Sequence, residues 1–255
     1  MCGDGMATGQ QEKPTINVNE RGAERDGKPQ LMNRRLFMQL LVFDCTGELG
    51  APESERALVS SLERRGIAAV VYHDVNNPRG LALLTWSEDP AHFVTHVRPM
   101  FAEQDLQGLE LKPDLTMLGR SYSSGFEPDL EFWLLERPRT TALDESCPWA
   151  VWYPLRRSGA FEQLEPREKG GILREHAVIG RAYGEAGLAH DIRLACHGLD
   201  ANDSEFVIGL VGKDLHPLSH VVQTMRGTRQ TSTYISQMGP FFVGRVAWRS
   251  AGSPG

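Results

Sequence analysis

The sequence is poor in cysteine, and its cysteines stand far apart. They are Cys2, Cys45, Cys147 and Cys196, with no CxxC pair among them. Zinc sites and iron–sulfur clusters need closely spaced thiolates, so this spacing does not favour either centre. A reduced, cytosolic compartment fits this usage best.

Long apolar runs and an excess of basic residues are also absent. No window approaches the ~20 apolar residues that a membrane span requires, and the first residues lack the apolar core of a secretory signal. The 33 acidic residues outnumber the 27 lysines and arginines, which gives a net charge of −6. Nucleic-acid binding needs a clustered basic excess, so we expect a soluble protein that does not bind nucleic acid.

Several common catalytic motifs are incomplete. Gly170-Gly171 precedes no phosphate-loop lysine, and no nucleophile elbow surrounds Ser219 or Ser232. The two glycines suit the close approach of a helix or a flat ligand, or are a local irregularity. Histidines four apart occur twice, as His92 with His96 and His216 with His220. Neither pair has the HExxH glutamate or an evident third ligand, so we expect these histidines to be structural or exposed.

The hydrophobic pattern predicts one β-α-β-β-α-β series, repeated once. The first series comprises strand 35–43, helix 52–65, strands 66–75 and 79–87, helix 89–103 and strand 114–122. The second comprises strand 149–156, helix 165–183, strands 190–198 and 205–212, helix 215–227 and strand 240–248. This order predicts an α+β fold with two ferredoxin-like repeats, whose sheets close into a barrel-like subunit around a pocket.

The composition divides the chain into four segments. Residues 1–33 have little apolar content and are predicted to be a disordered tail, and the C-terminal SAGSPG is predicted to be frayed. The N-terminal half spans 34–126, a connector spans 127–147, and the C-terminal half spans 148–250. The connector contains Arg137-Pro138-Arg139, whose arginines can face the pocket.

One histidine in the second half is predicted to face inward. The segment WAVWYPL, which contains Tyr153, reads as a buried strand, and the following helix begins at Glu165-Pro166. In that helix Ile172, His176 and Ile179 recur at helical spacing. A lone buried imidazole is a core residue, a general base or the axial ligand of a haem iron. The residues themselves leave all three roles open.

A second cluster lies in the run 225–244. It combines Arg226 and Arg229 with hydroxyl residues, and an apolar strand follows; the hydroxyl residues are Thr231, Ser232, Thr233 and Tyr234. Guanidinium groups beside an apolar surface suit a ligand that is apolar in the middle and carboxylated at its rim. The alternative is a solvated helix end.

Taken together, WYPLRRS, LREHAVIGRAYG, HGLDANDSEFVIGL and MR…TSTY…GPFFVG resemble the chlorite dismutase family, which includes chlorite dismutases and coproheme decarboxylases. The resemblance is dense over 148–249, fainter over 34–146 and absent from the tail. It implies a ferredoxin-like repeat that assembles as a homopentamer, with haem or coproheme in the C-terminal half.

The resemblance also implies roles for individual residues. His176 matches the proximal iron ligand, and Tyr153 matches the tyrosine that becomes a radical and attacks a propionate in the decarboxylases. Arg157 falls where the decarboxylases have a basic residue at a propionate. The further positions that the resemblance places at propionates are Arg139, Tyr122, Arg226, and Thr231 or Ser232.

The residue on the distal side of the iron differs between the two activities. Chlorite dismutation requires a distal arginine, whereas the family's distal position falls on Asp191 in this chain. Arg193 lies on the same strand face, two residues along, and His190 becomes the distal group in another register. All three remain candidates.

The resemblance therefore implies a haem-dependent oxidoreductase. The activity that fits best is the decarboxylation of Fe-coproporphyrin III (coproheme) to haem b by hydrogen peroxide, with coproheme as both substrate and cofactor. The first alternative is conversion of chlorite to chloride and O2, which needs Arg193 or another arginine over the iron. A non-catalytic haem-binding protein is the second alternative, and a haem-free member with His176 in the core is the third.

Overall fold

The first half of the chain supplies four long strands and their covering helices. The structure, a computed structural model, describes residues 13–47 and 50–251. Its elements up to residue 121 are β1 (Glu20–Arg25), β2 (Lys28–Met32), β3 (Phe37–Cys45), α1 (Gly50–Arg65), β4 (Ala69–Asp74), β5 (Gly80–Ser87), a π-helical turn (Phe93–Val97), α2 (Arg98–Met100), β6 (Leu109–Leu111) and β7 (Met117–Ser121), with short 3-10 turns at Gln104–Leu106 and Pro113–Leu115.

The second half repeats this order with a longer helix. After a π-helical turn (Phe132–Glu136), its elements are α3 (Arg137–Leu143), β8 (Trp149–Arg157), α4 (Gly159–Glu162), α5 (Pro166–Glu185), β9 (His190–Ala195), β10 (Phe206–Gly212), α6 (Leu215–Arg226), a third π-helical turn (Gln230–Tyr234), β11 (Ile235–Met238) and β12 (Phe242–Arg249).

The strands close into an antiparallel barrel. Each repeat forms a ferredoxin-like sheet, in the order β7-β3-β5-β4 for the first and β9-β10-β8-β12 for the second. The sheets join at both edges, where β4 pairs with β12 and β7 pairs with β9. The predicted α+β fold with two ferredoxin-like repeats is confirmed.

The inside of the barrel is a packed core. Strand alternation turns Met38, Leu40 and Val42 of β3 inward, and Trp152 of β8 lies among them at 1% exposure. Gly209 of β10 pairs with Trp152, and its missing side chain leaves room for the indole ring. The expectation of a pocket enclosed between the two sheets is wrong, because side chains fill that space.

Helices cover the outer face of each sheet, though unequally. Leu58 and Leu62 of α1 are fully buried against the first sheet. Over the second sheet, α6 buries Leu218 and Val221, whereas the much longer α5 buries only Ile172. Helix α5 is therefore packed far less tightly than its length would allow.

The prediction of a disordered tail over 1–33 is wrong for residues 20–32. They form the hairpin β1–β2, whose turn is Asp26-Gly27 with φ of 54° and 74°. An Asp-Gly pair at positive φ is a strong hairpin signal, and it outweighs the low apolar content. The amide of Gln30 donates to the carbonyl oxygen of Glu127 at 3.2 Å and so ties the hairpin to the barrel. Residues 1–12 and 252–255, which include most of the predicted frayed end, lie outside the described residues.

Two further differences concern local structure. The predicted helix 89–103 is reduced to the π-helical turn and α2, because Pro90 and Pro99 remove backbone donors. The short strands β6 and β11 were not predicted. Within 13–47 and 50–251, no helix is long and apolar enough to cross a membrane.

Candidate functional site

The outer face of the second sheet brings the predicted tyrosine and arginine into one row. Ile208 of β10 pairs with Tyr153 of β8 on one side and with Arg193 of β9 on the other. Asp191 lies in the next row on the same face, because it is two residues from Arg193. Tyr153 is buried, and its ring stacks on Phe241 with the centroids 4.6 Å apart.

His176 of α5 faces the same space. Its Nδ1 atom is buried and has no hydrogen-bond partner within the described ranges. Burial lowers the pKa of the imidazole, and the nearby positive charge of Arg193 lowers it further. The ring is therefore neutral at neutral pH, and it keeps a lone pair that can bind a metal or accept a proton.

An ion network lies beside His176. Arg137 donates from Nη2 to Oδ1 of Asp191 at 2.6 Å and from Nη1 to the Asp191 carbonyl oxygen at 2.8 Å. Nε of Arg193 lies 2.9 Å from Oδ2 of the same carboxylate. Burial acts to raise the pKa of Asp191, but the two arginines outweigh it, and the pKa is lowered. Asp191 therefore carries its charge between two cations.

The register decides between the three candidates for the distal residue. Ile192 and Leu194 belong to the barrel core, and His190 shares their side of the strand. Asp191 and Arg193 alternate with them and lie on the outer face with Tyr153. The structure therefore places Asp191 and Arg193 at the site and His190 on the opposite face of the sheet.

Tyr122 and Arg157 lie at one end of this face. The guanidinium group of Arg157 lies between two aromatic rings, 4.4 Å from the centroid of Phe161 and 4.7 Å from that of Phe206, with its Nε 3.1 Å from Oε2 of Glu205. The ring of Tyr122 lies 5.4 Å from that of Phe206. Burial raises the pKa of Tyr122, although the charge of Arg193 opposes the rise.

Arg226 marks another side of the site. It lines a cavity of about 560 Å³ beneath α6, together with Val151 and Phe241 of the sheet's outer face. Burial is the main cause of the raised pKa of Tyr153, and the charge of Asp191 raises it further. The charge of Arg226 opposes this rise.

The two predicted hydroxyl residues are bonded within their own turn. Ser232 donates from Oγ to the Thr228 carbonyl oxygen at 2.9 Å, and the Oγ1 atoms of Thr228 and Thr231 lie 3.3 Å apart. The turn itself is fixed to α5, because the Arg229 amide donates to the Glu175 carboxylate at 3.2 Å.

Arg139 pairs with Glu136 of its own helical turn, whereas Arg137 reaches the site. Residues two apart on a helix point in nearly opposite directions, so only one arginine of Arg137-Pro138-Arg139 can face the sheet. The predicted propionate contact of Arg139 is therefore not supported by its hydrogen bonds. The helical period was the signal that could have separated the two arginines.

Comparisons with known proteins bear on the family and the fold of this chain. The sequence profile described as chlorite dismutase matches residues 82–247. A search of curated proteins returns no match.

Solved structures match over most of the chain. A haem-binding protein from Thermus thermophilus is 17% identical, with a TM-score of 0.65 over 84% of this chain and 91% of that one. A variant of chlorite dismutase from Candidatus Nitrospira defluvii is 14% identical, with a TM-score of 0.65 over 85% of this chain and 93% of the other. At these identities the structural likeness shows the fold. The profile match spans more than half of the sequence, and the chain therefore belongs to the chlorite dismutase family.

Proposed function

We propose that this protein binds an iron porphyrin through His176 and uses hydrogen peroxide to convert Fe-coproporphyrin III to haem b. The observation that carries the proposal is the neutral imidazole of His176, whose buried Nδ1 atom has no hydrogen-bond partner among the described residues and which faces the same space as Tyr153 and Arg193. The family membership and the likeness to a haem-binding protein support it.

The residues of the site fit an iron porphyrin. A haem iron needs only one protein nitrogen, and no group of three or more metal-ligating side chains occurs within 13–47 and 50–251. Ile208 and Leu210 offer an apolar surface on the sheet opposite α5. Arg157 and Arg226 lie on different sides of that surface, where they can pair with carboxylates at a porphyrin edge.

Helix α5 leaves room for a flat ligand. Only Ile172 of its 20 residues is buried. Its main contacts are to α6, to β9 and to the turn at Gln230–Tyr234. The helix is thus held by its neighbours at Ile172 and Glu175, while most of its other residues are not buried against the sheet.

The reaction assigns distinct tasks to the side chains. A bound iron would supply the redox chemistry with peroxide. Tyr153 is buried and its pKa is raised, so its hydroxyl is protonated at neutral pH and holds a transferable hydrogen atom. After losing that hydrogen, Tyr153 takes one from the β-carbon of a propionate, and carbon dioxide leaves as the vinyl group forms. The two electrons released from each propionate reduce one peroxide to two waters.

Arg157 has a positioning task in this scheme. Its guanidinium group is fixed between Phe161 and Phe206 and is only 12% exposed. A fixed cation selects one orientation of a carboxylated ring and therefore decides which propionate lies beside Tyr153.

The test loads the purified protein with Fe-coproporphyrin III, titrates it with hydrogen peroxide and identifies the porphyrins by mass spectrometry. We expect stepwise loss of two carboxyl groups, abolished by Tyr153→Phe. Tyr183→Phe is the matched control, because that hydroxyl is already bonded to His220 and Thr224. Bound but unchanged coproheme in the wild-type protein would exclude the decarboxylase.

Iron ligation has its own control. We expect His176→Ala to lose the Soret band of the loaded protein, whereas His216→Ala, an exposed change on α6, keeps it. A Soret band unchanged by His176→Ala would remove the proposed ligand.

Chlorite dismutation is a second candidate, and the position of Arg193 favours it. Oxygen release from chlorite, abolished by Arg193→Gln, would support this activity. Porphyrin binding without turnover of coproheme or of chlorite would leave a haem-binding protein.

We also propose the family's homopentamer, which light scattering of the loaded protein tests.

A further inference from the structure

The strongest feature that the proposed chemistry does not use is the carboxylate of Asp191. It is the only acidic residue of β9, and it lies between Arg137 of α3 and Arg193 of its own strand. Each of its oxygens contacts a different guanidinium group. A carboxylate held in this way is fixed in position and ionised.

Arg193 is restrained through one nitrogen only. Asp191 contacts its Nε atom, and within the described residues no hydrogen bond is formed by its Nη1 or Nη2 atoms. The side chain is 39% exposed, so these terminal groups are accessible. Arg193 is therefore paired with Asp191 through Nε and still has donors for a ligand.

The second arginine keeps the carboxylate from leaving Arg193. Arg137 holds both Oδ1 and the main-chain oxygen of Asp191, and its guanidinium group lies 4.5 Å from the ring centroid of Trp133. This arrangement fixes Asp191 from the side opposite Arg193. The three groups together carry one net positive charge, and removal of the carboxylate charge would leave two.

This network lies in the ligand space, by which we mean the space between α5 and the outer face of the second sheet, where the porphyrin is proposed to bind. Both Asp191 and Arg193 act electrostatically on His176 and on Tyr122, and Asp191 also acts on Tyr153. These residues come from different elements that enclose the outer face of the second sheet. A ligand held by His176 would therefore experience the charges of the network.

We propose that Asp191 determines the oxidant preference of the site, by orienting Arg193 and offsetting its charge so that a neutral peroxide is favoured over an anionic oxidant. The proposal rests on the porphyrin-binding function proposed above and specifies the substrate class of that site. Arg193 remains a donor for a peroxide oxygen, while the carboxylate disfavours a second negative charge nearby. Asp191 is in this sense a specificity residue, and Arg137 is a positioning residue that acts through it.

The expected change in anion affinity follows from the removal of one unit of charge at a partly exposed site. The Asp191 side chain is 37% exposed, so the effective dielectric lies between that of a protein surface and that of water. Removing the charge should then change the affinity for an anion by about tenfold, while the affinity for a neutral ligand stays constant.

The experiment measures ligand binding to the haem-loaded protein rather than turnover. Wild type and variants are loaded with haem b and titrated at pH 8 with azide, an anion, and with imidazole, which is mostly neutral. Absorbance reports both dissociation constants. We expect Asp191→Asn to tighten azide binding about tenfold and Arg193→Gln to weaken it, with imidazole binding unchanged in both.

The control is Glu136→Gln. It removes the same charge from a carboxylate that pairs with Arg139 on the surface of the neighbouring turn. We expect no change in azide binding from this variant. A similar gain in Glu136→Gln would show that the net charge of the protein, and not the network, governs anion binding, and would overturn the proposal.

Other outcomes also decide the question. If Asp191→Asn changes azide and imidazole binding equally, Asp191 only supports the structure and the proposal fails. If Asp191→Asn does not fold, Arg193→Gln still tests the pair, because unchanged azide binding would contradict it. Failure of the wild-type protein to take up either haem b or Fe-coproporphyrin III would overturn the porphyrin-binding function itself, whereas haem uptake without the azide effect would overturn this proposal alone.

Discussion

The packed barrel interior predicts a large penalty for one added methyl group. An alanine Cβ at Gly209 would lie 2.5 Å from Cη2, 2.6 Å from Cζ3 and 2.7 Å from Cζ2 of Trp152. Non-bonded carbon atoms prefer about 3.5–4.0 Å, so the indole must move by about 1 Å. Trp152 is only 1% exposed and lies within the packed barrel core. We expect Gly209→Ala to lower the free energy of unfolding by about 1–3 kcal/mol, the usual cost of overpacking.

Urea unfolding followed by far-UV circular dichroism measures this cost. Trp152→Phe should also destabilise the protein, because it leaves a cavity in the barrel core. In the double variant the new methyl group fills part of that cavity, so the two losses should be less than additive by about 1 kcal/mol. An unchanged stability of Gly209→Ala, or strictly additive losses, would refute the description of the interior as a packed core around Trp152.

Three further changes test other parts of the structure. Glu127 accepts four hydrogen bonds from its own loop, and these outweigh burial and lower its pKa. The stability that the ionised Glu127 carboxylate contributes is therefore present above its unfolded-state pKa of about 4.3 and is lost as the pH falls through its folded-state pKa. Glu127→Gln should cost about 2 kcal/mol at pH 7 and flatten the acid limb of a stability–pH curve; an unchanged limb would contradict this. Gly170→Ala should stabilise the protein by about 0.5–1 kcal/mol through helix propensity and so raise the melting temperature, since an added Cβ meets nothing within 4 Å. A lower melting temperature would reveal a contact at this position. Arg157→Lys keeps the charge but loses the planar contacts with Phe161 and Phe206, so urea unfolding should show a loss of about 1 kcal/mol; an unchanged midpoint would count against those contacts.

Much of the fold was predictable because hydrophobic periodicity is local information. The strand pair 66–75 and 79–87 around Asn76-Asn77-Pro78 is present as β4 and β5, joined in antiparallel register. The helix that carries His176 was predicted within two residues of its observed ends. The hairpin at 20–32 was not predicted, because low apolar content indicates disorder even where a turn signal such as Asp26-Gly27 is present.

Closure of the barrel could not be predicted in detail. The pairing of β7 with β9 and of β4 with β12 depends on how two twisted sheets meet, which no single segment encodes. The same closure decides that the interior is filled, so the proposed porphyrin site lies outside the barrel, beneath α5 and α6. The hydrophobic pattern predicted two sheets that close on each other. It did not predict which face of the sheets would be free to contact a ligand.

The site was predicted by resemblance more than by spacing. The resemblance placed Tyr153, His176 and the segment 190–193 together, and the strand register then selected Asp191 and Arg193 over His190. The contact between Arg137 and Asp191 joins residues 54 positions apart in sequence. Such a pair depends on the docking of α3 against β9, so it becomes visible only in three dimensions.

The stability of the barrel core and the geometry of the proposed site are coupled, because successive residues of one strand face opposite sides of the sheet. Trp152 fills the barrel on one side of β8, while Tyr153, the next residue, faces the ligand space on the other. Gly209 has the same relation to Ile208 and Leu210 in β10. A change that moves the core ring must therefore shift the backbone that positions Tyr153. For this reason Gly209→Ala should weaken porphyrin binding as well as folding, and a variant that lost stability but bound coproheme unchanged would show that the two faces of the sheet respond independently.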